Sequence, residues 1–337
     1  MPVAENKRSQ TVMSTSTTLG QLAALVRGDL IGDPDIEIVG VQAPTGMSDR
    51  HLSLCLHEDS RGSFENCRAP VVITSAKYAS ALSSKHRIIV QDAAEAMTQL
   101  LYHFAPIQER RGVHPTAVVD KDVTLGEAVY IGPYCVVESG VVIGAKSQLV
   151  SHVFVDKNVH IGSECTLHSH AVLLANTRLG SETIVGPGAC VGYEGFSIHK
   201  HRLRPHLGHV EVGSGSSIGA NTCIDRGTVG RTQIGDNTHL DNLVQVGHNS
   251  EVGDHSTVCG LTGIAGSVQI GDEVVLGGQV GIKDHVSLGD RVHVAAKSGV
   301  TKNLTEPGTY SGFPAESHRR RLKREAKQRR RARKDAT

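Results

Sequence analysis

The chain contains no tryptophan, and phenylalanine and tyrosine together supply only 3% of its residues. Large rings dominate the packing of ordinary globular cores, so their scarcity argues for an interior too narrow to accept them. Long apolar runs are missing as well. No stretch approaches the roughly 20 residues of a membrane-spanning helix, and the polar opening MPVAENKRSQ lacks the apolar segment of a secretory signal. These absences predict a cytoplasmic protein. None of the seven cysteines (Cys55, Cys67, Cys135, Cys165, Cys190, Cys223, Cys259) forms a CxxC pair. That argues against a zinc ribbon or a dithiol centre, and for small core or corner residues in a reducing compartment.

Net charge is nearly absent, at +1, but the balance conceals a segregation. Residues 319–334 (RRRLKREAKQRRRARK) hold eleven Lys or Arg and one Glu, a local +10, so the remainder carries about −9. An acidic body ends in a basic arm, a form suited to an acidic partner. The arm contains no aromatic residue for base stacking, which argues against nucleic acid.

What the chain does contain is a six-residue beat. From Val113 every sixth residue through Val191 is aliphatic, including Ile131, Ile143, Leu149, Ile161 and Leu173. The beat resumes at Val212, Ile218 and Ile224, slips at Gly230, and runs again from Ile234 to Val300. Neither the 3.6-residue period of a helix nor the two-residue period of a strand produces this pattern. A hexapeptide period signals a parallel β-helix, with one aliphatic residue pointing inward on each flat side and three sides to a coil. Residues 18 apart then lie about 4.8 Å apart, the ordinary strand spacing. Glycine often follows the inward residue, as at Gly132, Gly144, Gly162, Gly235, Gly271 and Gly289. These glycines are expected to form the corners, where positive φ is needed.

The first hundred residues differ. TTLGQLAALVRG reads as a short helix capped by Thr17 or Thr18. Strand-like runs follow at Ile36–Val41, Val71–Thr74 and Ile88–Val90, and Ala93–Phe104 reads as a second helix. The expected organisation is a disordered leader over 1–16, an α/β domain over 17–105, a β-helix over 106–304 and a basic helical extension over 305–337.

Function is expected where the beat breaks, because loops thrown from a rigid scaffold commonly carry it. The larger break, Gly192 to about Val210, holds His199, His201, His206 and His209 in a spacing that matches no metal-ligand pattern. It reads as a loop covering a substrate, and the smaller break, Asp225–Gly230, as a short protruding turn. His248 follows the inward Val246 by two positions, which places it at an outer corner. Gly266 lies one coil beyond it and His285 two coils plus one residue beyond it, so all three are expected along one groove.

The segments DNLVQVGHN (241–249), GIAGS (263–267), IGDEVVLGGQVGIKDH (270–285) and EPGTYSGFPA (306–315) resemble the UDP-3-O-acylglucosamine N-acyltransferases of lipid A synthesis. EGF at 194–196, IDRG at 224–227 and GVHPTAVVD at 112–120 extend the resemblance over about residues 17–318. It implies a left-handed parallel β-helix assembled as a homotrimer, moving a 3-hydroxyacyl group from acyl carrier protein to the 2-amine of a UDP-sugar. His248 matches the family's general base, Gly266 its backbone oxyanion donor, and Asp241 a supporting residue. His285, Asn242, Gln245 and Phe196 match substrate-binding positions.

No metal and no resident cofactor are implied, since the donor's phosphopantetheine belongs to the carrier protein, for which the tail 319–334 is the expected dock. The family stacks an aromatic ring on uracil in its N-terminal domain; here Leu54 occupies that place, with His57 and Ser60 where an Asn and a Tyr are usual. Three other readings stay open. One is a sister acyltransferase with another nucleotide-sugar acceptor; the others are a zinc-dependent γ-class carbonic anhydrase and a noncatalytic β-helix scaffold.

Overall fold

The computed structural model describes residues 16–43, 45–55, 69–81, 84–105 and 110–335, with side chains described only to 328 in the last segment. The chain divides into two compact units, at Glu109 and Arg110, a few residues beyond the 105/106 boundary expected from the sequence. His57 and Ser60 lie outside the described residues, as does all of the leader except Ser16.

The second unit is a β-solenoid of about 13 turns. Three sheets of nine, twelve and ten strands form its sides, parallel throughout except for the last pairing of the twelve. The register is the expected 18 residues: Tyr130 pairs with Gln148, Val136 with Phe154, and Val142 with His160. Ile131, Ile143, Leu149, Leu167 and Leu173 are fully buried in one continuous core, so each beat of the sequence is one side of the prism. A second inward position, two residues before each aliphatic one, escaped the sequence reading. It often holds Ser or Thr, and their hydroxyls bridge successive coils. The Ser147 hydroxyl donates to the Gly162 carbonyl at 2.8 Å and accepts from the Cys165 N–H at 3.0 Å. Except at Thr177, whose Oγ1 has no partner, buried hydroxyls are thereby satisfied without widening the core.

The role expected for the glycines is corrected. Gly132, Gly144, Gly162, Gly235, Gly271 and Gly289 do not have positive φ. The left-handed residue sits three positions after the inward aliphatic one and is usually not glycine: Tyr134, Lys146, Asn158, Glu164, Asn176 and Asn237 all have φ between 50° and 65°. Each corner N–H is held by the preceding coil, as Lys146 N–H donates to the Glu127 carbonyl at 2.7 Å and Glu164 N–H to the Ala145 carbonyl at 2.8 Å. These bonds offset the steric cost of the left-handed conformation. The glycines serve stacking instead. A Cβ on Gly132 would lie 1.8 Å from the Val150 carbonyl oxygen, and one on Gly144 2.5 Å from the Gly162 backbone. Only a hydrogen fits where the backbone of the next coil passes so close.

The first unit carries helix α1 (Leu19–Leu25), closed by a reciprocal capping box between Thr18 and Gln21, and helix α2 (Ala93–Phe104), capped by Asp92. Its five-stranded sheet runs in the order Asp29–Ile31, His86–Val90, Val71–Ser75, His51–Cys55, Gly40–Gln42. The first pairing is antiparallel and the others are parallel. Asp29–Ile31 and His51–Cys55 are strands the sequence reading left out. The expected run Ile36–Val41 is two short strands, Glu37–Ile38 and Gly40–Gln42.

After the last coil, Gly308–Ser311 continues one solenoid sheet and pairs antiparallel with Glu316–Ser317. Helix α3 (His318–Asp335) follows. Its start is tied to that hairpin: Arg321 Nε donates to Ser311 Oγ at 2.8 Å, and Arg324 pairs with Glu316.

Candidate active site

Two changes of register show how the solenoid releases loops without losing its stack. Across the first, Arg178 pairs with Glu211 and Ile184 with Ser217, an offset of 33 residues, so 15 are looped out beyond the usual 18. Across the second, Ser217 pairs with His239, an offset of 22 and an excursion of four. The excursions brace one another. Leu207 N–H donates to the Thr228 carbonyl and Gly208 N–H to that of Gly227, both at 2.9 Å, and Arg226 N–H to that of Tyr193 at 2.8 Å. Glu211 closes the base by pairing with His209 at 3.0 Å and Arg231 at 2.8 Å. The hydrogen bond from His209, with help from Arg231, holds its carboxyl below the usual range. The smaller break is thus part of a two-layer cover rather than an isolated protruding turn.

His248 lies under this cover, and its tautomer follows from its neighbours. The Asn249 side chain donates through Nδ2 to the Val229 carbonyl at 2.8 Å and accepts at Oδ1 from the Thr228 N–H at 2.9 Å, which fixes Oδ1 as an acceptor. His248 Nδ1 faces this oxygen at 3.3 Å and the Thr228 hydroxyl at 3.5 Å. Facing an acceptor, Nδ1 carries the proton, and Nε2 is left with a free lone pair. Nε2 points at Gly266: a Cβ there would be 2.8 Å from Nε2 and 2.9 Å from Cε1. The Gly266 N–H has no acceptor among the described residues. A basic nitrogen and an unused backbone donor therefore meet at one cavity of about 480 Å³, lined also by Tyr193, Phe196, Leu203, Asp225 and Gln245.

Asp225, the first residue of the smaller excursion, is a site residue the sequence reading did not single out. Burial pushes its carboxyl up, while a hydrogen bond from Gln245 and the charges of His248 and His206 pull it down. The buried His206, known beforehand only as one of four loop histidines, packs its ring 5.1 Å from that of His248. Neither was recoverable from spacing, because both reach His248 only through the fold of the excursions.

A groove of about 760 Å³ continues from this cavity along the same face, sharing Gln245, Ile264 and Ala265 with it. Its floor is a ladder of three glycines in register, Gly263, Gly281 and Gly299. A Cβ on either of the first two would meet nothing within 4 Å, whereas one on Gly299 would strike Phe313, 1.7 Å away. The groove is open for two coils, about 10 Å, and is covered at its far end by the Phe313 ring.

Among the expected site residues, His248, Gly266, Gln245 and Phe196 meet at the cavity. Phe196 is 80% exposed at its mouth. The other three solenoid residues stand apart. Asp241 spends its carboxylate on backbone, accepting from Gly260 N–H at 2.9 Å and Asn242 N–H at 2.7 Å. Asn242 Oδ1 accepts from Ala220 N–H at 2.7 Å. Both carboxylate and amide stitch coils together at an exposed corner. His285 is exposed on the coil after Gly266 and lines neither cavity. In the first unit, Leu54 is half-buried in its strand against the core and presents no free flat face. Among the described residues, no three His, Cys, Asp or Glu side chains converge to hold a metal ion.

No family model matches the chain. Among curated proteins it is similar to the UDP-3-O-acylglucosamine N-acyltransferase of Methylacidiphilum infernorum (isolate V4), 43% identical over 240 residues that span 69% of this chain and 68% of the relative. It is also similar to UDP-3-O-acylglucosamine N-acyltransferase 1 of Gloeobacter violaceus, 37% identical over 327 residues that span 93% of this chain and 91% of the relative. Among solved structures, the Arabidopsis UDP-N-acetylglucosamine acyltransferase superposes with a TM-score of 0.57 at 24% identity, covering 61% of this chain and 73% of that one, a likeness of fold.

Proposed function

The chain belongs to the UDP-3-O-acylglucosamine N-acyltransferases, amide-forming enzymes of lipid A synthesis, and we propose that it uses His248 as general base and acyl carrier protein as donor. The observation that carries this reading is the meeting of the free His248 Nε2 with the unused Gly266 N–H in one covered cavity. In the reaction, the acceptor's 2-amine attacks the thioester carbonyl of the 3-hydroxyacyl donor while Nε2 takes a proton from nitrogen. The tetrahedral oxyanion accepts a hydrogen bond from Gly266 N–H. As the C–S bond breaks, the departing thiolate takes the proton from His248, leaving amide and free thiol. Asp225 supplies a negative charge near the ring while the ring is positive. The chain needs no metal or resident cofactor for this sequence, because the activated acyl group arrives on the carrier's phosphopantetheine.

The acyl chain lies in the glycine-floored groove, with its end toward Phe313. Replacing Gly281 by methionine puts a side chain into midgroove at a position where a Cβ meets nothing within 4 Å. It is expected to lower kcat/KM for the longest accepted donor by about 10- to 200-fold, the range that small apolar volume differences produce, while sparing shorter donors. A series of acyl carrier protein thioesters of graded length measures this, and an unchanged length profile would place the chain elsewhere.

Three further features complete the reading. The active enzyme is a homotrimer, supported by apolar side chains exposed on the excursions, among them Phe196, Leu203, Leu207 and Val229. Helix α3, whose arm 319–334 carries +10, docks the acidic carrier protein. The site of action is the cytoplasm, consistent with Cys135, Cys165, Cys190, Cys223 and Cys259 being free thiols; among the described residues, no helix is long and apolar enough to cross a membrane.

Incubation with 3-hydroxyacyl carrier protein and UDP-3-O-acylglucosamine is expected to yield the amide, detected by mass spectrometry. Raising ionic strength to about 1 M, where the Debye length is near 3 Å, is expected to raise KM for the carrier several-fold and leave KM for the UDP-sugar nearly unchanged. A folded enzyme that forms no amide from this pair would defeat the substrate assignment. A salt-independent KM for the carrier would remove the role of the tail.

A further inference from the structure

His206 holds an unusual position for a loop residue. It is only 2% exposed, and Nδ1 lies 3.0 Å from the Arg204 carbonyl oxygen. A carbonyl can only accept, so Nδ1 carries the ring proton and Nε2 presents a lone pair. That Nε2 is buried and has no hydrogen-bond partner. An unpaired buried lone pair is costly, and one kept beside a reacting group calls for an explanation in function.

The unpaired nitrogen lies near the base. The rings of His206 and His248 are tilted by 59° with centroids 5.1 Å apart. Gly195 lies between them: a Cβ on that residue would be 2.9 Å from His248 Cβ and Cδ2 and 3.0 Å from His206 Nε2. With no side chain at Gly195, the space between His206 Nε2 and the His248 ring stays clear of a Cβ. A neutral imidazole is a strong dipole with its negative end at the unprotonated nitrogen, and here packing and the Arg204 carbonyl fix its direction. The charged groups around the pair are Asp225, which senses both rings, and Glu194 and Arg204, which line the cavity.

We infer that His206 is a positioning residue of this site, a fixed dipole whose Nε2 lone pair stabilises the positive charge that His248 acquires when it takes the amine proton. The inference rests on His248 being the base. A dipole oriented before the reaction costs no reorganisation during it, and so acts on the transition state more than on substrate binding. The buried lone pair left unpaired in the resting enzyme is then the part that becomes useful once His248 is charged.

Two variants and one spectrum test the inference. His206→Phe keeps the ring's shape but removes the lone pair; it is expected to lower kcat about tenfold, with KM for both substrates within about twofold. His206→Gln places a carboxamide oxygen where Nε2 stands and is expected to recover most of the loss. In the wild-type enzyme, ¹⁵N spectra of the imidazoles near neutral pH are expected to show His206 protonated on Nδ1 and bare on Nε2. A Phe variant as fast as wild type, a Gln variant as slow as Phe, or a His206 ring carrying a proton on Nε2 would each overturn the inference. The spectrum does not depend on turnover or on a variant's folding. If His248→Ala were to keep full turnover, the base assignment would fall while the ¹⁵N result stood, which separates the two failures.

Discussion

Replacing His248 by alanine is expected to lower kcat for amide formation by about 10²–10⁴-fold, the usual contribution of a positioned general base. The size follows from the reaction. Attack by a neutral amine leaves a proton on nitrogen that must go before the C–S bond can break productively, and Nε2 is the free lone pair at the cavity beside Gly266. The fold should survive the change, because the ring makes only two long hydrogen bonds, to Thr228 and Asn249. Asn249 keeps its own bonds to Thr228, Val229 and Thr232 without it. Steady-state kinetics beside a thermal melt check both parts. A small loss of kcat in a folded variant would show that the proton leaves by another route.

Gly266→Ala is expected to cost on the order of 10²-fold in kcat, the loss that displacing a catalytic group by about 1 Å produces, with the solenoid intact. Most glycines of the coil would react differently. A methyl at Gly132 or Gly144 strikes the backbone of the next coil, whereas the nearest atoms to a Cβ on Gly266 all belong to the His248 ring, at 2.8–3.2 Å. Alanine therefore pushes the base away from the reacting amine while leaving the backbone N–H in place. Gly281→Ala is the matched control: nothing lies within 4 Å of its Cβ, so activity with a short donor and thermal stability should both stay near wild type. A Gly266→Ala enzyme as active as the control would mean that Nε2 need not hold its present position.

The six-residue beat made the solenoid legible because one inward position per side must be aliphatic whatever else changes, and that need repeats for as long as the coil does. The same regularity misled about the glycines. Sequence shows that a small residue is required after Ile131 or Ile143, but a sharp corner and a close backbone pass impose the same requirement. In the first unit, α2 was legible over its full range, Ala93–Phe104. The strand His51–Cys55 was not, because two of its three buried residues are Ser53 and Cys55, which carry little strand signal.

The sequence by itself determined the coil, its 18-residue register, the places where chain is thrown out of it, and His248 with Gly266 as coil neighbours, since all of these follow from counting along a periodic backbone. Only the tertiary structure decided what surrounds that pair. Asp225 and His206 reach it through excursions of four and fifteen residues, whose paths are set by hydrogen bonds between the two loops rather than by any period. Asp241 and Asn242, which sequence placed with the site, spend their side chains on backbone N–H groups of adjoining coils. A stacked coil leaves backbone donors at many of its corners, and a nearby carboxylate or amide is drawn to them first.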